Sequence, residues 1–151
     1  MNALRHLLLR CLQLGLLLLG CAVGNLIGAG RAQAADTVGL HLVSVHSRPG
    51  FQAANPGIYL KRDDGLTGGV LRNSYGRTSA YAGWTFETSD QRFAVTVGAI
   101  TGYPARSVSL LVAPSVRVAL APGWGARLAL LPKPPIPGGA AALHLSLEHA
   151  F

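Results

Sequence analysis

Beyond residue 34 this sequence contains no cysteine; its two, Cys11 and Cys21, both precede that point. The remaining chain can form no internal disulfide and can bind no metal through thiolates, so neither a metal site nor a cofactor is expected. It also lacks any sustained apolar period of 3.6 residues, which removes helix as a competitive assignment. Charge is sparse, at 13% of residues, and forms no run. From residue 35 onward ten Lys and Arg stand against six Asp and Glu. That modest basic balance suits an anionic surface such as lipopolysaccharide phosphate, and nucleic acid is not an expected partner. No repeat of solenoid period and no linker divides the chain, so one domain is expected.

Residues 1–34 have the layout of a signal peptide. Arg5, His6 and Arg10 make a basic start, "CLQLGLLLLGCAV" an apolar middle, and "AQA" (32–34) a small-x-small cleavage pattern. The expected organisation is a cleaved leader over 1–34 and a domain over 35–151. Two alternatives share the same stretch. "LLGC" resembles a lipobox that would lipidate Cys21, and 7–28 would serve as a helical anchor with Gly20, Gly24 and Gly28 as a packing stripe. All three readings export the protein.

What is present is alternation. From Asp36 the pattern is period 2, broken by turn-forming clusters, and it predicts eight strands: 37–46, 56–62, 66–73, 78–87, 93–103, 107–120, 125–132 and 141–151. Asp64-Gly65 is a tight hairpin signal. Each strand with its turn takes about 14–15 residues, which fits strands tilted across a bilayer. Apolar faces run through Ala80/Ala82/Trp84/Phe86, Phe93/Val95/Val97/Ala99, Val116/Val118/Leu120 and Leu143/Leu145/Leu147. The opposite faces hold Tyr81/Gly83/Thr85/Glu87, Thr96/Gly98, Ser115/Arg117 and His144/Ser146/Glu148. An exported chain with an even strand count and a last strand ending on Phe151 predicts an all-β fold: an eight-stranded antiparallel transmembrane barrel in the outer membrane of a Gram-negative bacterium. A monomer is expected. Such a barrel has an interior that side chains fill, which argues against a pore.

In that topology "DDG", "TSDQ" and "APGW" are short periplasmic turns, and the connections after the first, third, fifth and seventh strands face outward. Trp84, Phe86 and Phe93 then form a periplasmic-side aromatic belt. His144, Ser146 and Glu148 imitate a hydrolase triad drawn on one strand. No Gly-rich elbow accompanies Ser146, so they are expected to fill the barrel, with Glu148 grouped with Glu87, Arg117 and Arg127. At the outer end the topology gathers His46, Asn73, Ser74, Tyr75 and Tyr103. A histidine beside a serine hydroxyl is the minimum for general-base activation of an acyl-transfer nucleophile. Arg48, Arg72, Arg77, Arg106 and Lys133 are candidates for binding phosphates.

From about residue 44 to its end the chain resembles the lipid A palmitoyltransferase family of eight-stranded outer-membrane barrels. The similar pieces are "VHSRPGFQAANPGIYL", "GVLRNSYGRTSAYAGWTFE", "FAVTVGAITGYPA", "LLVAPSVRVAL", "ALLPKPP" and the C-terminal strand. The resemblance implies action on lipid A with a phospholipid as acyl donor. The family's functional histidine after strand one and Asp-Ser pair after strand three fall on His46, Asn73 and Ser74. The acid of the pair is an amide here, which can orient its neighbours but cannot stabilise an imidazolium by charge. The family's strand prolines, which open the wall for a lipid chain, fall on Pro114 and Pro132. The family's amphipathic helix before strand one has no counterpart between the predicted cleavage point and residue 37. The alternative expectation is a non-catalytic structural or lipopolysaccharide-binding barrel.

Overall fold

The computed structural model describes residues 35–151 apart from Ala105 and 135–137. The expected leader, with Cys11 and Cys21, lies outside the described residues. The strands are β1 (Thr37–His46), β2 (Ala54–Lys61), β3 (Leu66–Arg72), β4 (Thr78–Glu87), β5 (Phe93–Tyr103), β6 (Arg106–Ala121), β7 (Trp124–Leu131) and β8 (Ala142–Ala150). Neighbours in sequence pair antiparallel and β8 closes onto β1, giving a closed eight-stranded barrel.

Three turns bound one end. Asp64-Gly65 behaves as expected: Gly65 has φ 87° and the Asp64 carboxylate accepts from the Leu66 amide at 2.9 Å. In the β4–β5 turn Asp90 accepts from the Thr88 hydroxyl at 2.6 Å and the Arg92 amide at 3.1 Å. Those bonds hold its carboxyl below the usual Asp value. The third turn is tighter than the sequence suggests. Pro122 and Gly123 alone connect β6 to β7, Gly123 at φ 75°, so Trp124 belongs to the strand. The β6–β7 register shifts between Ala119 and Ala121, a bulge next to this turn.

At the other end β2 begins at Ala54, before Pro56. A mid-strand proline is tolerated because the β1–β2 ladder skips that position, passing from His41↔Gly57 to Val43↔Ala54. The same shift leaves Leu42 unpaired with β8, whose residues run on from Ser146 to Leu145 without a gap. Leu42 is thus a bulge, and it has a consequence for the faces of β1. Strict alternation would set His41 and His46 on opposite sides, whereas the bulge turns both inward.

The barrel is inside-out relative to a soluble protein. Among the described residues the buried set holds thirteen polar or charged side chains and five hydrophobic ones. Trp84, Phe86, Leu110, Val118, Leu128 and Leu143 are all exposed on the outer wall. A soluble sandwich would reverse this distribution, so the apolar faces assigned from alternation do point outward. Trp84, Phe86, Phe93 and Trp124 are all exposed on that wall towards the turn end.

Inside, the turn-end half is filled by one ionic cluster. Glu148, 1% exposed, accepts from Arg127 Nε at 2.5 Å, Arg117 Nε at 3.0 Å and the Tyr59 hydroxyl at 2.5 Å. Arg127 also donates to Glu87 at 2.5 Å and to Ser115 at 3.1 Å, and Lys61 pairs with Glu87. Tyr59 reaches across because Gly39 leaves room: the ring occupies the space a side chain there would need. A threonine ladder runs beside the cluster, Thr96 and Thr85 at 2.8 Å, Thr85 and Thr67 at 2.8 Å, ending on the Gly65 carbonyl. The three residues that imitate a triad are dispersed: Glu148 serves the arginines, the Ser146 hydroxyl bonds only Tyr59 among the described residues, at 3.4 Å, and His144 belongs to a separate group.

Candidate functional site

The best-formed reactive pair sits at the loop end. His46 is the last residue of β1, and its Nε2 lies 2.6 Å from the Ser74 hydroxyl oxygen. Ser74 is carried by the tight loop between β3 and β4. Asn73 builds that loop. Its backbone amide bonds the Arg77 carbonyl at 2.8 Å, while its carbonyl accepts from the Gly76 amide at 2.9 Å. Its Oδ1 accepts from the Tyr75 amide at 2.9 Å and the Arg77 amide at 3.1 Å. Gly76 takes φ 73°, a left-handed turn position that favours glycine.

The Asn73 side chain therefore bonds neither residue of the dyad. Its Nδ2 donates to the Ser79 hydroxyl and the Gly102 carbonyl, both at 2.9 Å, which uses every hydrogen-bonding position of the amide. It orients neither Ser74 nor His46 through its side chain; it sets the loop from which Ser74 projects. Among the described residues no side chain bonds His46 Nδ1, so the pair is a dyad and not a triad.

The histidine is held by packing instead. Its ring stacks on Phe51 with centroids 5.0 Å apart and planes 17° apart. Phe51 meets Tyr75 edge-on at 5.3 Å, and Tyr75 meets Tyr103 edge-on at 5.8 Å. The β1–β2 loop carrying Phe51 is tied to the β3–β4 loop by the Gln52 amide, which donates to the Ser74 carbonyl at 2.9 Å. Phe51 had no signal in the sequence beyond its place in a loop.

Arg48, Arg72, Arg77, Arg106 and Lys133 are all exposed at this same end. No Asp or Glu occurs in any of the four connections there, while Asp36, Asp63, Asp64 and Asp90 all lie at the turn end. The barrel is thus polarised, with a purely cationic loop end. This segregation was visible in the sequence once the turns had been assigned to ends.

Towards the loop end the wall is incomplete between β6 and β7. Their ladder runs only from Ser115↔Ala129 to Ala121↔Trp124. Beyond it Arg106–Pro114 pairs only with β5, and Leu130 and Leu131 pair only with β8. Pro114 stands at the boundary, where its missing N–H ends the pairing. Pro132 is not within a strand as the resemblance implies, since β7 stops one residue earlier at Leu131. Proline disfavours continuation of the ladder there and so marks its end.

Below the rim lies an internal cavity of about 100 Å³. Leu71, Ile100, Leu111, Ala113 and Leu131 give it apolar lining, of which Leu111, Ala113 and Leu131 flank the β6–β7 gap. His41, Tyr59, Tyr81 and His144 line it with polar groups, and Lys61, Arg127 and Glu148 close it towards the turn end. His41, Tyr81 and His144 form one connected array, to which Ser44 also belongs. No family model matches this sequence, and no curated protein matches it either.

Proposed function

We propose that the protein is an outer-membrane barrel that modifies lipid A acyl chains at its loop end, with Ser74 as nucleophile and His46 as general base. The observation that carries this reading is the 2.6 Å contact between His46 Nε2 and the Ser74 hydroxyl. Three others support it: the purely cationic rim, the unpaired β6–β7 wall, and the apolar-walled cavity below. Phosphates of lipid A complement Arg48, Arg72, Arg77, Arg106 and Lys133. A chain passing between β6 and β7 beside Pro114 reaches the interior without crossing the rim. The exposed apolar belt supplies the lipid-facing surface, and the turn end with its aromatic girdle faces the periplasm.

In the reaction the Ser74 oxygen attacks the carbonyl carbon of an acyl ester on a phospholipid donor while its proton passes to His46 Nε2. Collapse of the tetrahedral adduct breaks the ester C–O bond, and the imidazolium returns that proton to the departing alkoxide. A hydroxyl of lipid A then attacks the acyl-serine by the reverse route, His46 taking its proton and giving it back to Ser74. Stacking on Phe51 places an aromatic face against the transient imidazolium.

Expression in a Gram-negative host is expected to change lipid A mass by one acyl chain. Ser74→Ala and His46→Ala should each lower that activity by about 10²–10⁴-fold while the barrel still migrates anomalously on unheated gels. Unchanged lipid A at verified outer-membrane levels would sink the enzyme. The second reading, a lipopolysaccharide-binding barrel without chemistry, is favoured by the absence of any acid bonded to His46 among the described residues. It predicts binding that is weakened by neutralising the rim cations and indifferent to Ser74→Ala.

Bilayer embedding carries its own test. Val97 lies mid-strand on β5 and is exposed, whereas Val118 is exposed three positions before the end of β6. Val97→Arg is expected to cost about 2–4 kcal/mol in vesicle refolding, and Val118→Arg distinctly less. Equal and negligible costs at both positions would remove the lipid-facing assignment.

A further inference from the structure

The mid-barrel array contains four groups joined by three hydrogen bonds. Ser44 Oγ and His144 Nδ1 are 2.8 Å apart, His144 Nε2 and His41 Nδ1 are 2.8 Å apart, and His41 Nε2 is 3.1 Å from the Tyr81 hydroxyl. With both imidazoles neutral, the four groups carry four transferable protons. Three links use three of them. One proton is always left over at an end of the array, and protonating either ring would add another.

The two ends are not equivalent. If the bonds run from Tyr81 towards Ser44, the spare proton sits on Ser44, which is 3% exposed and has no second hydrogen-bond partner among the described residues. That leaves a buried donor unmade, which costs about 1–3 kcal/mol. If they run the other way, the Ser44 hydroxyl donates to His144, His144 to His41, and His41 to the Tyr81 oxygen. The spare proton then belongs to Tyr81, whose side chain lines the cavity. The second polarity is favoured.

Most other polar chains in the interior end on an acceptor, although the Ser115 hydroxyl, which accepts from Arg127, has no acceptor of its own among the described residues. The threonine ladder finishes on the Gly65 carbonyl, Tyr59 on Glu148, and the cationic side chains on Glu87 and Glu148. The Tyr81 array ends on a donor at the cavity, which Leu71, Ile100, Leu111 and Leu131 also line. A plain hydrocarbon chain in that space leaves the phenol unsatisfied. A ligand that is mostly apolar with one internal acceptor satisfies both the phenol and the apolar lining.

We infer that the cavity is a binding site for an oxygenated acyl chain, a hydroxy- or oxo-acyl group whose chain oxygen accepts a hydrogen bond from Tyr81. This deepens the acyl-modifying reading by naming its substrate class, and rests on that reading only for the idea that an acyl chain enters.

The test is binding, performed in the Ser74→Ala background so that turnover plays no part. The full-length protein is refolded in a bile-salt detergent, and affinities are measured by equilibrium dialysis. The probes are a saturated fatty acid and monohydroxy acids of equal length, with the hydroxyl near the carboxyl, mid-chain or near the tail. At least one hydroxy isomer should bind about tenfold more tightly than the saturated acid, the value of one net hydrogen bond. Tyr81→Phe should erase that preference and leave the saturated acid bound as well as before. Equal affinities for all probes, as for a cavity holding only water, would overturn the proposal, and so would a preference that survives Tyr81→Phe. A second measurement is independent of any variant. The infrared carbonyl stretch of a bound oxo acid should move to lower wavenumber, and an unshifted band is a negative result. Lipid A left unchanged in cells while the hydroxy preference stands removes the enzyme and keeps this site; lipid A modification without the preference does the opposite.

Discussion

Glu148→Gln is expected to destabilise the barrel by about 3–5 kcal/mol, the usual cost of deleting one member of a buried ionic group. Glu148 is 1% exposed and receives two guanidinium groups and a phenol. The interior cluster holds Lys61, Arg117 and Arg127 against Glu87 and Glu148, so it already carries one excess positive charge. Removing the Glu148 charge leaves three cations to Glu87 alone. It also turns an amide N–H₂ towards donors. Urea titration of the refolded protein, read as a shift in midpoint at constant slope, measures the effect. Adding Arg117→Gln to Glu148→Gln should recover part of the loss, because it removes one of the stranded charges. A single Glu148→Gln variant within 1 kcal/mol of wild type, on the order of a surface substitution, would show that the cluster is open to water.

Asn73→Asp would place an Asp-Ser pair at the loop end, and its expected outcome is harm. The amide Nδ2 donates to Ser79 Oγ and to the Gly102 carbonyl. The hydrogen of Ser79 is already given to the Thr101 carbonyl at 2.6 Å, so it has none to offer a carboxylate. The substituted oxygen would face two acceptors in a position 1% exposed. Two lost bonds and a buried charge should cost more than about 2 kcal/mol at neutral pH. The sign of the pH dependence follows. Burial against oxygens raises the introduced carboxyl above its unfolded value of about 3.9, so the protonated form is favoured in the folded state. The penalty is smallest below that unfolded value, where the acid donates one of the two bonds, and grows as pH rises through the raised folded value. Lipid A activity that increases on Asn73→Asp, with stability unchanged at pH 7, would show that the side chain at 73 turns towards His46.

Much of the architecture was legible in residue order. Period-2 alternation located eight strands because outward and inward faces meet opposite environments, and the breaks between strands fell on residues suited to turns. The grouping of Glu148 with Glu87, Arg117 and Arg127 followed from parity alone, since all four point inward near the same end. Tight-turn chemistry was less transparent: Pro122-Gly123 closes a two-residue connection, and only the pairing of Ala121 with Trp124 reveals how short it is. Pro56 is the first residue of the predicted second strand, yet β2 begins two residues earlier, at Ala54, because the partner strand bulges and requires no N–H from the proline.

Pairing His46 with Ser74 required only strand order, because both sit where a strand meets a loop at one end. What they do not touch required the third dimension. Asn73 follows the parity of Thr67, Gly69 and Leu71, and parity says only that it points in; which donors and acceptors wait there depends on Ser79 and Gly102 from β4 and β5. The interior array illustrates the limit more sharply. Strict alternation sets His41 on the face opposite Ser44 and His46, and a reading by period 2 cannot join them. One bulged residue, Leu42, reverses the phase and brings His41 within 2.8 Å of His144. Alternation is a property of a uniform ladder. A bulge is decided by how two neighbouring strands fit, which a single strand's residues do not encode.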